Sequence, residues 1–404
     1  MLNQQRGMRI LHIIETLDPA AGGPSESVRV LLSFGPIGYS GEVVTLDHPD
    51  EAFLGDIPFP VHALGPTSTT YGFSTKLYAW LRANQHRFDG FVVNGLWQYC
   101  GLATWLALRG TGKPYVVFSH GMLDPYFKRT FPLKHAKKWI YWLVAEYHVL
   151  RGAYRVLFTT KQEAKLAEES FWLHRWNGFV VPYGAGRPPK DEATLKHSFL
   201  TTFPEMRDKR FMLFLGRIHR KKGCDMLIKS FVKFAAQDPD LHLVMAGPDQ
   251  QAWSAALKEM VLKAGLETRV HWPGMLKGDV KWGAFFASEV FILPSHQENF
   301  GIAVAESLAC GRPVLLADKV NIAAEIAEEG CGLMELDTQA GTDNLIQKWI
   351  DMSIADRDEM GRQALDTFDR LYDMKTNAVT IIRLFETATN TQGQEERRLF
   401  PTKE

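Results

Sequence analysis

The sequence predicts an α/β protein of two Rossmann-like, doubly wound domains that face each other across a cleft. Three observations carry that expectation. Short β-branched or aromatic runs alternate with helix-length amphipathic segments along the 404 residues, the order that builds parallel sheets with crossover helices. Several runs, such as "FMLFL" and "VFIL", are apolar at every position rather than every second one, as strands covered by helices on both faces must be. A chain of 404 residues also exceeds what one hydrophobic core ordinarily holds.

In chain order, strands are expected at "RILHII" (9–14), "VVTL" (43–46), "VHAL" (61–64), "FVVN" (91–94), "YVVF" (115–118), "RVLFT" (155–159) and "FVVP" (179–182). A second series follows at "FMLFL" (211–215), "LHLVMA" (241–246), "RVHW" (269–272), "VFIL" (290–293) and "VLLA" (314–317). Segments such as "STKLYAWLRANQHRF" and "CDMLIKSFVKFAAQ" have the helical apolar period and fall between them. The pattern lapses over residues 182–210, which are rich in proline, glycine and charge and hold no firm strand before Phe211. The expected organisation is an N-terminal domain over 1–185, a linker with a short excursion over 186–210, and a C-terminal domain over 211–372. Residues 373–404 are expected as a helix and loose tail packing back towards the N-terminal domain.

Composition narrows the function classes. The 46 basic and 46 acidic side chains cancel, so there is no global attraction to nucleic acid. Cys100, Cys224, Cys310 and Cys331 form no C-x-x-C pair, which argues against zinc and against a disulfide scaffold and for a reducing cytoplasm. No apolar leader precedes a cleavage site, and no uncharged run reaches membrane-spanning length.

The chemistry concentrates in "HQENFGIAVAESLACGRPV" (296–314), where Glu298 and Glu306 stand eight positions apart. A strand ends before Pro294, "SHQEN" turns the chain, and a helix opens near Phe300 or Gly301 and stops at Gly311. In an open α/β domain the loop leaving a strand's carboxyl end forms the ligand crevice. The N–H groups of Asn299, Phe300, Gly301 and Ile302 then favour a phosphate. Carboxylates repel phosphate and accept well from sugar hydroxyls, so Glu298 and Glu306 suit the two ends of a diphosphate-bridged ligand. The plainer reading of the same letters is two solvated glutamates on a surface helix.

With its flanks, this segment resembles the E-x7-E signature of the family 4 retaining glycosyltransferases, whose fold is GT-B. The resemblance implies that Glu298 contacts the donor sugar, that Glu306 holds the nucleoside ribose, and that the amides of 299–302 meet the sugar and diphosphate. "FLGRIHRKKGCDMLI" (214–228) resembles the family's G-R-x4-K-G element, which implicates Gly216 in donor binding and Arg217 and Lys222 at the diphosphate. Fixed cations there stabilise the negative charge that grows on a departing nucleoside diphosphate. "ETLDPAAGGPSESVRVLL" (15–32) matches the glycine-rich first loop through Gly22 and Gly23, and "VVFSHGMLDP" (116–125) places His120, with Asp124 beside it, to reach the donor sugar. The sequence departs from the pattern at Pro182-Tyr183-Gly184, where asparagine is usual at the middle position, and at Asn299, where glycine is common. "DPD" (238–240) fits a D-x-D metal motif but lies between a helix and the next strand, on the wrong side for a ligand.

What the resemblance implies is a retaining transferase with no cofactor and no metal, which moves a hexose from a nucleotide-sugar donor to a glycan or lipid-linked acceptor in cell-surface polysaccharide biosynthesis. GDP-mannose and UDP-hexose donors fit equally. The rivals are a sugar-nucleotide epimerase of the same fold and a non-catalytic carbohydrate-binding protein. A nicotinamide dehydrogenase is disfavoured because no G-x-G-x-x-G follows "RILHII". Residues 126–155 carry seven Lys or Arg against Glu146 alone, interleaved with Trp139, Tyr141 and Trp142. That combination suits either an anionic membrane surface or a helix with core aromatics and solvated lysines.

Overall fold

The computed structural model describes residues 7–33, 39–67, 69–126, 128, 132–181, 183–249 and 252–399. The chain forms two compact units, Met1–Tyr183 with Met374–Glu404, and Gly184–Asp373. The first contains seven parallel strands: β1 Met8–Ile13, β2 Tyr39–Thr45, β3 Val61–Ala63, β4 Gly90–Asn94, β5 Tyr115–Phe118, β6 Arg155–Phe158 and β7 Gly178–Val180. Their spatial order is β3-β2-β1-β4-β5-β6-β7, so the order reverses between β1 and β4. Every residue of β4 and β5 is buried. Strand β2 begins earlier than expected because the half-exposed Tyr39-Ser40-Gly41 still pairs with Met8, Arg9 and Ile10.

The second unit repeats the design with β8 Arg210–Leu215, β9 Leu241–Ala246, β10 Val270–Gly274, β11 Val290–Leu293, β12 Val314–Ala317 and β13 Gly332–Glu335. Its order is β10-β9-β8-β11-β12-β13, again all parallel and again reversing, between β8 and β11. Strand β13 was not expected. It is an edge strand in which only Gly332 is buried and Glu335 pairs with Lys348, so it lacks a continuous apolar run.

Residues 186–210, expected as linker, belong to the second unit and carry a helix, Glu192–Thr202. Asp191 caps it by accepting from Thr194 N, and Leu195 and Phe199 are buried. A helix over Gly278–Ala287 packs so tightly on it that a Cβ on Gly283 would lie 2.1 Å from the Leu195 carbonyl oxygen. The polar face of Glu192–Thr202 hid these two apolar anchors in the sequence. The helix Met374–Leu399 groups with the first unit, where Ile381 and Phe385 are buried. It runs through most of the segment expected to be loose; residues 400–404 lie outside the described residues.

Pro182 lies outside the described residues. Tyr183 fills core space, 5% exposed, edge-on to Phe118 at 5.8 Å. Across 126–155 a helix Pro132–Tyr141 continues through a π-helical turn, Trp142–Glu146, into Tyr147–Gly152; Phe127 and residues 129–131 lie outside the described residues. Trp142 is fully buried and stacks on Phe171 at 4.2 Å, so this aromatic belongs to the core. Asp238 and Asp240 lie in the turn before β9, where Asp238 pairs with Arg210 at 3.1 Å.

Candidate functional site

In the second unit the loops leaving β8 and β11 arise on either side of the point where strand order reverses, the place where open α/β sheets receive ligands. After β8 the chain runs through Gly216 and the exposed Arg217 to His219, whose Nδ1 accepts from Lys221 N at 3.0 Å. A 3-10 turn over Arg220–Lys222 then ends at Gly223 with φ +65°. A Cβ there would lie 2.0 Å from the Pro294 carbonyl oxygen, so only glycine lets the two loops close on each other. The Lys221 carbonyl accepts from His296 N at 2.8 Å and from Ser295 Oγ at 3.0 Å, which fastens them a second time.

This closure brings Lys222 Nζ into an ion pair with Glu298 Oε2, their side chains 13% and 19% exposed. The backbone of Glu298 is fixed on both sides: its N–H donates to Lys319 O at 3.0 Å and its carbonyl accepts from Asn321 N at 3.1 Å. Burial pushes the Glu298 carboxyl up, but the Lys222 ammonium, with Lys221 and the Asn299 amide, overrides it and holds it below the usual carboxylate range. The side chain of Asn299 is held by Asn321 Nδ2 at 3.3 Å, and Phe300 is buried edge-on to Tyr372 at 5.8 Å. Gly301, at φ +78°, starts the helix Ile302–Ala309. Arg217 makes no ion pair among the described residues, in contrast to Lys222.

Glu306 lies inside that helix, 5% exposed, and is no solvated glutamate. Its Oε1 pairs with Lys281 Nζ at 2.5 Å. Lys281 comes from the helix Gly278–Ala287, and the side chains of the pair are 18% and 7% exposed. The structure thus joins Lys222 to Glu298, places Gly216 and Arg217 on the same loop as Lys222, and gives both glutamates a lysine.

The first unit holds the remaining candidates at the carboxyl ends of its strands. Gly22, at φ +101°, and Gly23 open the helix Gly23–Ser33, and an added Cβ on either would meet nothing within 4 Å among the described residues. His120 follows β5 with φ +47° and stacks on Phe118 at 4.6 Å. Its Nε2 donates to Asn94 Oδ1 at 3.3 Å. Behind it, Asn94 Nδ2 approaches His12 Nδ1 at 3.5 Å, and His12 Nε2 faces the Tyr39 hydroxyl at 3.1 Å. Burial lowers the His120 pKa to about 3, and burial, with the nearness of the His120 ring, lowers that of His12 to about 3. Both rings are therefore neutral at neutral pH, and this polar chain leaves His120 Nδ1 as an acceptor. Asp124 closes a turn by accepting from Tyr126 N at 2.7 Å.

Comparison with known proteins agrees with both halves. The family described as "Glycosyl transferases group 1" matches residues 202–366, and "Glycosyl transferase 4-like domain" matches residues 36–184. The chain belongs to the family 4 glycosyltransferases. A D-inositol 3-phosphate glycosyltransferase of Arthrobacter sp. is 29% identical over 182 residues, 43% of this chain and 42% of that protein. Several solved structures match over nearly full length. Sucrose-phosphate synthase from Thermosynechococcus elongatus superposes with TM-score 0.74 at 19% identity, covering 95% of this chain and 100% of that one. Anabaena Alr3699/HepE, in complex with UDP and glucose, gives TM-score 0.74 at 18% identity over 94% and 99%. At such identities the likeness is one of fold, and that fold is GT-B. The chain spans about half the length of the curated relatives it matches, 42% of the Arthrobacter protein and 58% of its Xylanimonas cellulosilytica counterpart.

Within this glycosyltransferase fold, the partners missed by sequence reasoning all come from distant segments. Lys281 is one lysine among many in an amphipathic stretch. Asn94 and His12 sit in apolar strands. Ser295 and His296 read as ordinary turn residues. Only their position beside Glu306, His120 and Lys221 distinguishes them.

Proposed function

We propose that this protein is a retaining, metal-independent glycosyltransferase that moves a hexose from a nucleoside diphosphate donor to a hydroxyl of a glycan or lipid-linked acceptor, in making cell-surface polysaccharide. The observation that carries the reading is the Lys222–Glu298 pair, which couples the loops after β8 and β11 at the reversal point of the second sheet. An ammonium has three N–H donors, so Lys222 can hold Glu298 and a diphosphate oxygen together. Glu298, kept ionised by that lysine, accepts from donor-sugar hydroxyls, and Arg217 supplies a second cation to the diphosphate. Glu306, oriented by Lys281, accepts from the ribose. His120 offers Nδ1 to the sugar, while Gly22 and Gly23 give the backbone close access to the ligand.

In the reaction, the bond from the anomeric carbon to the phosphate oxygen breaks, and the acceptor oxygen bonds to that carbon on the same face. The acceptor proton passes to the departing phosphate oxygen. The negative charge gained by the diphosphate is what Arg217 and Lys222 stabilise. No second carboxylate is needed as a base, unlike the carboxylate pair of glycoside hydrolysis.

The test is incubation with nucleotide sugars while the released nucleoside diphosphate is followed. UDP-glucose comes first, because HepE was crystallised with it, and GDP-mannose second. Release that depends on an acceptor supports transfer. Interconversion of the sugar without acceptor would replace this reading with epimerase chemistry, and binding without turnover would reduce the protein to a carbohydrate-binding one.

A further inference from the structure

The helical stretch from Pro132 to Gly152 has two unlike faces. Its inner face is built into the first unit: His135 is 9% exposed, Glu146 1%, and the buried Trp142 donates Nε1–H to Leu173 O at 2.7 Å. Its outer face carries Leu133 at 83% exposure, Ile140 at 72%, Val144 at 69% and Leu143 at 51%. Leu133, Ile140 and Val144 are seven and four residues apart, so on a helix they form one stripe. Trp172, 80% exposed in the bend after the helix Lys161–Glu168, lies against Trp139 at 5.5 Å and sets a fifth exposed large apolar side chain beside this helical stretch. Exposed aliphatic side chains are ordinary singly; a run of them along one helix face marks a surface that something apolar covers.

Charge identifies the occupant. Lys137 is exposed on the stripe's flank, and Lys128 and Arg151 are exposed at either end of the segment. Glu146, the only acid between residues 126 and 155, is turned inward and buried. The outward surface of this segment is therefore apolar and cationic with no carboxylate of its own. Nucleic acid would answer the charge but not the aliphatic stripe, whereas an anionic bilayer interface answers both.

We propose that Leu133, Ile140, Val144 and Trp172 form a membrane-docking face that enters the interfacial region of an anionic bilayer, with Lys137 and Arg151 at the headgroups. The aromatics Trp139 and Trp142, which the sequence offered as the apolar element, brace the helix from within. The proposal deepens the reading above, since a docked enzyme meets a lipid-linked acceptor where that acceptor lies, but it is tested by binding alone.

The experiment is flotation of the full chain with vesicles of phosphatidylcholine, with and without about a third phosphatidylglycerol, at low and high salt. Wild type is expected to float with anionic vesicles at low salt. Leu133→Ser/Ile140→Ser/Val144→Ser should partition at least tenfold less, with circular dichroism and Tm unchanged because the three side chains are exposed. Lys137→Glu/Arg151→Glu should lose about fivefold per charge removed and most of the salt dependence. The emission of Trp172, isolated as wild type minus Trp172→Phe, should shift blue on binding. Wild type remaining with the soluble fraction at low salt, or the triple variant floating as well as wild type, overturns the proposal. So does a wild-type dimer in solution that the triple variant dissolves, which would make the stripe a contact between copies. Nucleoside diphosphate release by the triple variant on a soluble acceptor stays at the wild-type rate, so failure of docking and failure of the transferase reading are separate results.

Discussion

Replacing Lys281 by methionine tests whether Glu306 is held as a charged, oriented carboxylate. The Glu306 side chain is 7% exposed and that of Lys281 18%, so the pair lies near the buried limit with the ammonium slightly wet. Removing one partner of a fully buried pair costs about 3–5 kcal/mol, whereas a surface pair is worth about 0–1 kcal/mol. Partial exposure of the lysine brings the expectation to about 2–3 kcal/mol. For a domain of this size each kcal/mol moves Tm by about 2–4 °C, so calorimetry should show Lys281→Met melting about 4–12 °C lower. The double variant Lys281→Met/Glu306→Gln leaves no stranded charge and should recover most of that loss. Its affinity for UDP should nonetheless fall, and the preference of wild type for UDP over 2′-deoxy-UDP should shrink, because the carboxylate proposed to accept from the ribose is gone. Lys281→Met melting within about 1 °C of wild type, with no gain from the second substitution, would refute the reasoning.

Arg217→Ala and Lys222→Ala should each lower kcat by about 10²–10³ with the fold intact; activity within threefold of wild type moves the diphosphate site elsewhere. Lys222→Ala also strips Glu298 of the charge that overrides its burial, so the acid limb of its pH–rate profile should shift to higher pH. Transfer should persist in excess EDTA if Arg217 and Lys222 serve the diphosphate as proposed; loss of activity restored by manganese or magnesium counts against the assignment. The hydrogen bond from His296 Nδ1 to Asp337 Oδ1, 2.6 Å long, raises the pKa of His296 despite burial. A raised histidine adds stability that is complete below its unfolded pKa and is lost as pH climbs through the folded value. Asp337→Asn should therefore lower Tm at about pH 5.5 and hardly at all at about pH 9; an equal loss at both would mean that His296 is neutral throughout.

Elements buried on both faces were legible because burial writes itself as mostly apolar runs: β4, β5, β9, β11 and β12 begin and end within a residue of expectation. Strand β13 and the helix Glu192–Thr202 were not, since each turns only one or two residues to the interior, Gly332 in the first and Leu195 and Phe199 in the second. The same contrast governs the site. Glu298, Glu306, Arg217 and Lys222 sit in motifs of fixed local spacing. The groups that fix their charge and direction, Lys281 and the 319–321 backbone, reach them only through tertiary packing. The amphipathic segment 126–155 was recognised for its charge, but which side chains face outward depends on Phe171 and Leu173, which anchor Trp142 inside.

The second unit is one unbroken stretch, Gly184–Asp373, whereas the first is completed only by the helix that begins at Met374. In the order of synthesis, the part of the molecule made first is finished last. Residues up to Tyr183 leave the ribosome without Ile381 and Phe385, and that face stays open to water and chaperones while the whole second unit is made and folds. A chain stopped at Asp373 would keep the loops after β8 and β11 and still lack part of its first core. Nonsense or frameshift changes near the carboxyl end should thus act as lesions of the amino-terminal unit, and a separately supplied 374–399 peptide is the natural reagent to rescue them.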